Sequence, residues 1–314
     1  MSAEVLHDLP PLPPRDPLGH KGTFGTVVVV GGHLGIDGER TMLGAPALAA
    51  TAALRSGAGL AVLAMHAELL PAGLTLCPAA TGVALPAQPD GRLDASGAAE
   101  RLDGVMSGAS VIALGPGFGN GTAEQQIVVR LLSQDQVPVV LDADGLNALA
   151  SLPEGHRDIR ASVIMTPHPG EFARLAESLG VRLDPLEPAG RVEAASELAR
   201  RLGCIVVLKG AGTVVSDGLR AWVNGSGNAA LATGGSGDVL AGLIAGLVAQ
   251  FSRGPTPRVT LFDAARLAVH IHGCAADRWA DRHGEAGMLP GDLADELPVV
   301  LAAMRGEAGA SQGA

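Results

Sequence analysis

Short apolar runs rich in β-branched residues recur along the chain, each closed by glycine or proline and followed by a longer segment rich in Ala and Leu. The run Thr26-Val27-Val28-Val29-Val30, ending at Gly31-Gly32, is apolar on both faces and therefore reads as a buried strand of the parallel type. Residues 45–56 predict an Ala-rich helix with Pro46 near its start and Gly57 and Gly59 past its end, and 60–64 predict the next strand. Strands at 110–114, 138–141, 162–165 and 204–208 then alternate with helices at 122–133, 170–179 and 188–202. Asp217-Gly218 between the β pieces 212–216 and 220–224 is a hairpin signal. Further helices are expected from 239 onward, near 261–282 and at 290–304.

Strand–helix alternation over nearly the whole length predicts an α/β fold with a mostly parallel central sheet and helices on both faces. No linker divides it. One domain is expected over 19–305, preceded by a disordered or extended lead-in at 1–18 that contains Pro10-Pro11-Leu12-Pro13-Pro14, and followed by a frayed tail at 306–314. Residues 78–100 are looser, rich in Pro and Gly, and read as a surface excursion.

Composition narrows the function. Of 314 residues 47% are hydrophobic, enough for a sizeable core, while aromatics are only 2% and Tyr is absent, which removes Tyr as a catalytic acid and disfavours stacking on nucleic acid. A net charge of −10 argues against nucleic-acid or anionic-membrane partners. Cys77, Cys204 and Cys274 are isolated, as expected of a protein in a reducing cytosol and not of a disulfide framework or zinc site. The Pro-rich, acidic N-terminus is no signal peptide, and the apolar run 239–249 is too short to span a bilayer, so a soluble cytoplasmic protein is expected.

In parallel sheets the ligand lies beyond the carboxyl ends of the strands, and the unusual residues fall there. Thr233-Gly234-Gly235-Ser236-Gly237-Asp238 opens an apolar helix. Its glycines free backbone N–H groups to converge where the helix dipole is positive, which makes an anion site. Asp238 at the edge of such a site would be repelled by the anion unless it abstracts a proton while the amides hold a transferring phosphoryl group.

Other loops supply the walls. Gly115-Pro116-Gly117-Phe118-Gly119 departs from the dinucleotide fingerprint, since Asn120 and Thr122 stand where its last glycine is needed. It is either a tight turn or a place where Gly117 and Gly119 let backbone approach a polar ligand. Asp142 and Asp144, with Asn147 following, divide between a helix cap and a ligand contact. His168, stiffened by Pro167 and Pro169, reads as a ligand-positioning residue, whereas His270 and His272, two apart on a helix, read as core or packing. Lys209-Gly210-Ala211-Gly212-Thr213 lacks the P-loop order and is either a hairpin turn or a lysine and free amides bordering nucleotide phosphates.

Gly235-Ser236-Gly237-Asp238 at a helix start resembles the signature of ribokinase-like small-molecule kinases, whose fold is a three-layer α/β/α arrangement. A narrower resemblance covers about 19 to 300. The motifs His20–Gly25, Ala53–Leu60, Leu114–Gly117, Leu141–Asn147, Thr166–Glu171 and Lys209–Thr213, in that order, resemble the ADP-dependent NAD(P)H-hydrate dehydratases. The resemblance implies a repair enzyme that returns (6S)-NADHX or (6S)-NADPHX to NADH or NADPH, using ADP as phosphoryl donor with Mg²⁺ and releasing AMP and phosphate. It implies Asp238 as catalytic base with Gly235 and Gly237 in the anion hole. Substrate would meet Ala45, Gly117, Gly119, Asp144, Asn147, His168 and Asp238, and nucleotide would meet Lys209, Gly210, Ala211, Gly212, Thr213 and Gly237. The stretch Ile36–Leu43 is longer than the family's, which bears on Ala45. A separate epimerase and a homo-oligomeric, perhaps tetrameric, state are expected by the same route. The alternative is a ribokinase-like kinase of a small vitamin-precursor alcohol.

Overall fold

Each apolar run becomes a strand of one sheet in the computed structural model, which describes residues 3–36, 39–152, 154–254 and 256–306. Among these residues the strands are β1 (Glu4–Leu6), β2 (Thr26–Val30), β3 (Leu60–His66), β4 (Thr81–Leu85), β5 (Val111–Leu114), β6 (Val139–Leu141), β7 (Val163–Met165), β8 (Ile205–Leu208), β9 (Val214–Ser216) and β10 (Arg220–Val223). Their spatial order is β1-β10-β9-β8-β7-β6-β5-β2-β3-β4, and β9 alone among them runs against its neighbours. The hairpin announced by Asp217-Gly218 is the β9–β10 turn, with Asp217 Oδ1 accepting from the N–H groups of Leu219 and Arg220.

The helices are α1 (Gly44–Arg55), α2 (Leu70–Leu76), α3 (Ala95–Met106), α4 (Thr122–Leu132), α5 (Ala143–Ser151), α6 (Pro169–Ser178), α7 (Arg191–Leu202), α8 (Ser236–Phe251), α9 (Leu261–His283) and α10 (Pro290–Met304). Alternate residues of β2 explain its unbroken β-branched run. Val27 and Val29 pack into the core beneath α1, α8, α9 and α10, while Val28 and Val30 pack into the core beneath α3 to α7. The three-layer arrangement follows.

Two expectations need correction. The lead-in is not without regular structure, because β1 pairs in parallel with β10 through Glu4↔Arg220 and Leu6↔Trp222. A three-residue edge strand with mostly exposed side chains leaves no periodic signal, and its partner lies over two hundred positions away. The looser stretch 78–100 holds β4 and the start of α3, so it extends the sheet as its other edge. Residues 37 and 38 of the long stretch before Ala45, and 307–314 of the expected tail, lie outside the described residues.

The motifs at 20–25 and 53–60 meet each other at the amino ends of β2 and β3, far from any ligand loop. The N–H groups of Gly59 and Leu60 both donate to Gly25 O at 3.1 Å. Those motifs serve the fold. Similarly α8 lies backbone to backbone on α1, since a Cβ on Gly242 would fall 2.1 Å from Ala49 O and one on Gly246 only 1.9 Å from Ser56 Oγ. Gly242→Ala should therefore destabilise the protein by about 2 kcal/mol or more, well beyond the gain in helix propensity. Urea unfolding measures this, and an unchanged midpoint would show that the two helices can separate freely.

The chain leaves β4, returns to β5 beside β2, and thereafter builds outward on the other side. That reversal is the switch point where open sheets bind ligands. The loops after β2 and β5 touch there, with Gly32 N–H donating to Pro116 O at 3.1 Å.

Candidate active site

The loop ahead of α8 has the geometry an anion site needs. Gly235 sits at φ +95°, in the region that favours glycine, and a Cβ there would meet Pro290 and Leu48 below 3.0 Å. Ser236 Oγ donates to Leu231 O at 2.8 Å and closes the turn. Buried His272 bonds Ser236 O through Nε2 at 2.9 Å. The N–H groups of Gly234, Gly237 and Asp238 have no acceptor among the described residues. Burial holds His272 down to about 4, so it is neutral and donates. The expectation of a packing histidine is thus half right, because this one also fixes the first turn of α8.

Asp238 stands just inside that turn. Burial first, then the charge of Asp142, raises its carboxyl from 3.8 to about 7, against the pull of Lys209. A carboxylate with its pKa near neutrality is a competent base at physiological pH.

Lys209, at the end of β8, reaches across to this turn. Its Nζ lies 2.8 Å from Asp142 Oδ1 and 3.7 Å from Glu171 Oε2, and a Cβ on Gly237 would be 3.4 Å from it. Burial pulls its pKa down, but Asp142 and Glu171 outweigh that and leave it raised, so Lys209 is an ammonium. Asp142 is buried and also accepts from Thr166 Oγ1 at 2.6 Å. It occupies the position before α5 without capping it. Ala143 beside it is held at φ 49°, a left-handed conformation unusual for a residue with a side chain.

Asp144 does not cap the helix either. Its Oδ2 accepts the Gly119 N–H at 2.9 Å, and its Oδ1 accepts from Asn147 Nδ2 at 3.3 Å. Arg174 Nε in turn donates to Asn147 Oδ1 at 2.9 Å. This chain of bonds holds the glycine loop, in which Gly117 and Gly119 both have positive φ. A Cβ on Gly117 would lie 3.1 Å from that of Met42 and 3.3 Å from that of Ala45, so the structure brings Ala45 and Gly117 together despite the long stretch before them.

His168 caps α6. Its Nδ1 accepts from Gly170 N–H at 2.9 Å, and Glu171 Oε2 accepts the His168 N–H at 2.7 Å, a reciprocal capping box. That leaves the proton on Nε2, and burial followed by the charges of Lys209 and Arg174 keeps the imidazole neutral. Burial raises Glu171 to about 7 despite Lys209. A cavity of about 910 Å³ opens beyond Gly119 and Asp144, bordered by His33, Glu39, Arg40 and Arg92, and continues the site away from Asp238.

Asp238, Lys209, Gly237, Asp142 and Glu171 thus converge on one point, with Gly117 and His168 in the loops after β5 and β7 and with Ala45 and Asp144 in the first turns of α1 and α5. Gly210, Ala211 and Gly212, which follow Lys209, are exposed. Thr166, Glu171 and Arg174 are neighbours of these residues that the sequence alone does not single out, and His272 reads in sequence only as core or packing. Thr166 and Glu171 do bound the motif Thr166–Glu171, but Arg174 and His272 lie in no motif. Among the described residues no three His, Cys, Asp or Glu side chains gather as a metal site. Asp142 and Glu171 are oxygen donors of the kind that assist Mg²⁺ carried on phosphates.

A mostly parallel sheet with a glycine-lined helix N-terminus and a basic aspartate defines a ribokinase-like protein. A ribokinase-like superfamily structure from Enterococcus faecalis superposes with a TM-score of 0.75 at 26% identity, covering 94% of this chain and 92% of that one. The family model for NAD(P)H-hydrate dehydratase matches residues 33–299, and the chain belongs to that family. It is 39% identical over 292 residues to the bifunctional NAD(P)H-hydrate repair enzyme of Moorella thermoacetica, covering 92% of this chain and 52% of that protein. The chain therefore spans about half the length of the bifunctional relatives it matches. It is 37% identical to the ADP-dependent (S)-NAD(P)H-hydrate dehydratase of Bacillus subtilis, covering 92% of this chain and 93% of that protein. A structure of the B. subtilis ADP/ATP-dependent enzyme, co-crystallised with ATP/Mg²⁺, gives a TM-score of 0.72 at 34% identity over 94% of this chain and 95% of that one.

Among the described residues no helix is long and apolar enough to cross a membrane.

Proposed function

We propose that this chain dehydrates (6S)-NADHX and (6S)-NADPHX to NADH and NADPH with ADP as phosphoryl donor, releasing AMP and phosphate. One observation carries the reading: a carboxylate poised near pH 7 stands among unbonded amides at a helix N-terminus, beside a lysine ammonium. Hydroxide is a poor leaving group. Asp238 takes the proton from the ring hydroxyl as its oxygen attacks the β-phosphorus of ADP. The N–H groups of Gly234, Gly237 and Asp238 hold the moving phosphoryl oxygens, and AMP departs. The ring nitrogen lone pair then expels phosphate, breaking the C–O bond and leaving an iminium, and loss of a proton from the adjacent ring carbon to the released phosphate restores the dihydropyridine.

Gly117, Ala45 and neutral His168 orient the ring, and Asp144 with Asn147 keeps Gly119 in place. The cavity beyond Gly119 accommodates the rest of the dinucleotide. Lys209 to Thr213 and Gly237 face ADP. Mg²⁺, held by phosphates with Asp142 or Glu171, would offset phosphate charge. A homo-oligomer is part of this reading, as is a reducing cytosolic setting for three free cysteines.

The test supplies hydrated NADH with ADP or ATP and follows the return of NADH absorbance. Recovery with neither nucleotide would sink this reading and favour a kinase of a small alcohol. The pH profile is a second check. Since Asp238 acts only when ionised, log kcat/KM should climb with unit slope and level off above about pH 7. A rate that stays flat from about pH 5.5 to 8 would remove Asp238 as the titrating base.

A further inference from the structure

We propose that Arg191, at the start of α7 and outside the strand-end loops, is a positioning residue for the phosphates of the nucleotide. It holds the Leu208 and Lys209 carbonyls at the base of that loop, and its charge lies against Gly210 with no carboxylate within ion-pair distance among the described residues. The inference rests on the reading that residues 209–213 face ADP.

The position of Arg191 is doubly unfavourable for a cation. Its side chain is buried, at 7% exposure, which pulls the guanidinium below the ordinary arginine pKa. It also opens a twelve-residue helix, at the end where the helix dipole repels positive charge. A buried cation ordinarily takes a carboxylate. Arg266, equally buried, does so with Asp263 at 2.8 Å. Arg191 instead spends its donors on carbonyls: Nη1 on Pro185 O at 2.6 Å, and Nη2 on Leu208 O at 3.0 Å and Lys209 O at 3.1 Å. Its Nε has no partner among the described residues.

Those bonds shape the loop. Gly210 lies against the guanidinium at φ +134°, where a Cβ would be 3.2 Å from Nη2, so the contact needs glycine. The Gly210 carbonyl accepts from Thr213 Oγ1 at 2.9 Å. With the Lys209 carbonyl bonded to Arg191 and the Gly210 carbonyl to Thr213, the N–H groups of Gly210, Ala211 and Gly212 are left with no acceptor among the described residues, on an exposed loop. Lys209, the nearer cation, is already matched by Asp142. Exposed amides over a buried, carboxylate-free guanidinium form a receptor for an anion, and the nucleotide phosphates supply one.

Arg191→Met and Arg191→Lys, made in the full chain, separate this from a merely structural role. Binding of ADP, AMP and adenosine is measured by calorimetry, and KM for the hydrate by NADH recovery. Arg191→Met should weaken ADP about tenfold or more, weaken AMP less, leave adenosine within about twofold, and leave the hydrate KM unchanged. Arg191→Lys, which keeps charge but loses the fork, should fall between wild type and Met for ADP. It decides the matter if the Met variant does not fold. Equal losses for ADP and adenosine, or no loss, would overturn the inference while leaving the nucleotide loop intact. Wild-type protein that binds no ADP would overturn the loop assignment itself and this inference with it.

Discussion

Asp238→Asn is expected to lower kcat by about 10²–10⁴-fold, the range for losing a positioned general base, with ADP affinity kept within about threefold. The substitution is nearly isosteric and leaves the amides, Lys209 and the glycine turn in place, so only proton abstraction is removed. Stability should move in the opposite direction. The carboxyl of Asp238 is raised in the fold from 3.8 to about 7, so its contribution to stability is complete below about pH 4 and is lost as pH rises through about 7. At pH 8 the wild-type protein carries an ionised, mostly buried carboxylate near Asp142 and Glu171. The Asn variant should be more stable there by something on the order of 1–3 kcal/mol, and the difference should vanish near pH 4. Retained turnover would dismiss Asp238 as the base. Lost turnover without extra stability at pH 8 would mean its carboxyl is not raised.

Lys209→Met should have the largest combined effect. Lys209 is the cation set directly against Asp142 and Glu171, and it also lowers the pKa values of Glu171 and Asp238. Leaving buried Asp142 without its partner should destabilise the fold by about 3–5 kcal/mol. Loss of the charge beside the transferring phosphoryl should lower kcat by about 10²–10³-fold. The residual activity should need higher pH, because Asp238 then ionises later. Adding Asp142→Asn to Lys209→Met separates the two effects: stability should return and turnover should not. Recovery of both would reduce Lys209 to a structural counterion.

Much of this site is legible in the sequence because strand ends in a parallel sheet are marked twice, by the end of a β-branched run and by the glycine or proline that follows. Val30-Gly31, Leu114-Gly115 and Leu208-Lys209-Gly210 locate loops correctly, and Gly235 to Asp238 advertises its helix start. What stays hidden is set by distance in the chain. Asp142 and Asp144 look interchangeable in sequence, yet one binds Lys209 and Thr166 and the other the Gly119 amide, and neither caps α5. His272 on an apolar helix and Arg191 at the head of a charged one match core and surface patterns. Their roles come from bonds to residues more than fifteen positions away. β1 escapes notice for a related reason, as a short edge strand paired with β10 and carrying little buried surface.

In the proposed reaction the ring oxygen leaves on phosphorus. Hydrate carrying ¹⁸O in its ring hydroxyl, incubated with unlabelled ADP, tests this most directly, with the released orthophosphate read by mass spectrometry. The expected result is one ¹⁸O atom in each phosphate, formed in step with AMP and NADH. Unlabelled phosphate, with the isotope in water, would mean that the hydroxyl departs without being phosphorylated.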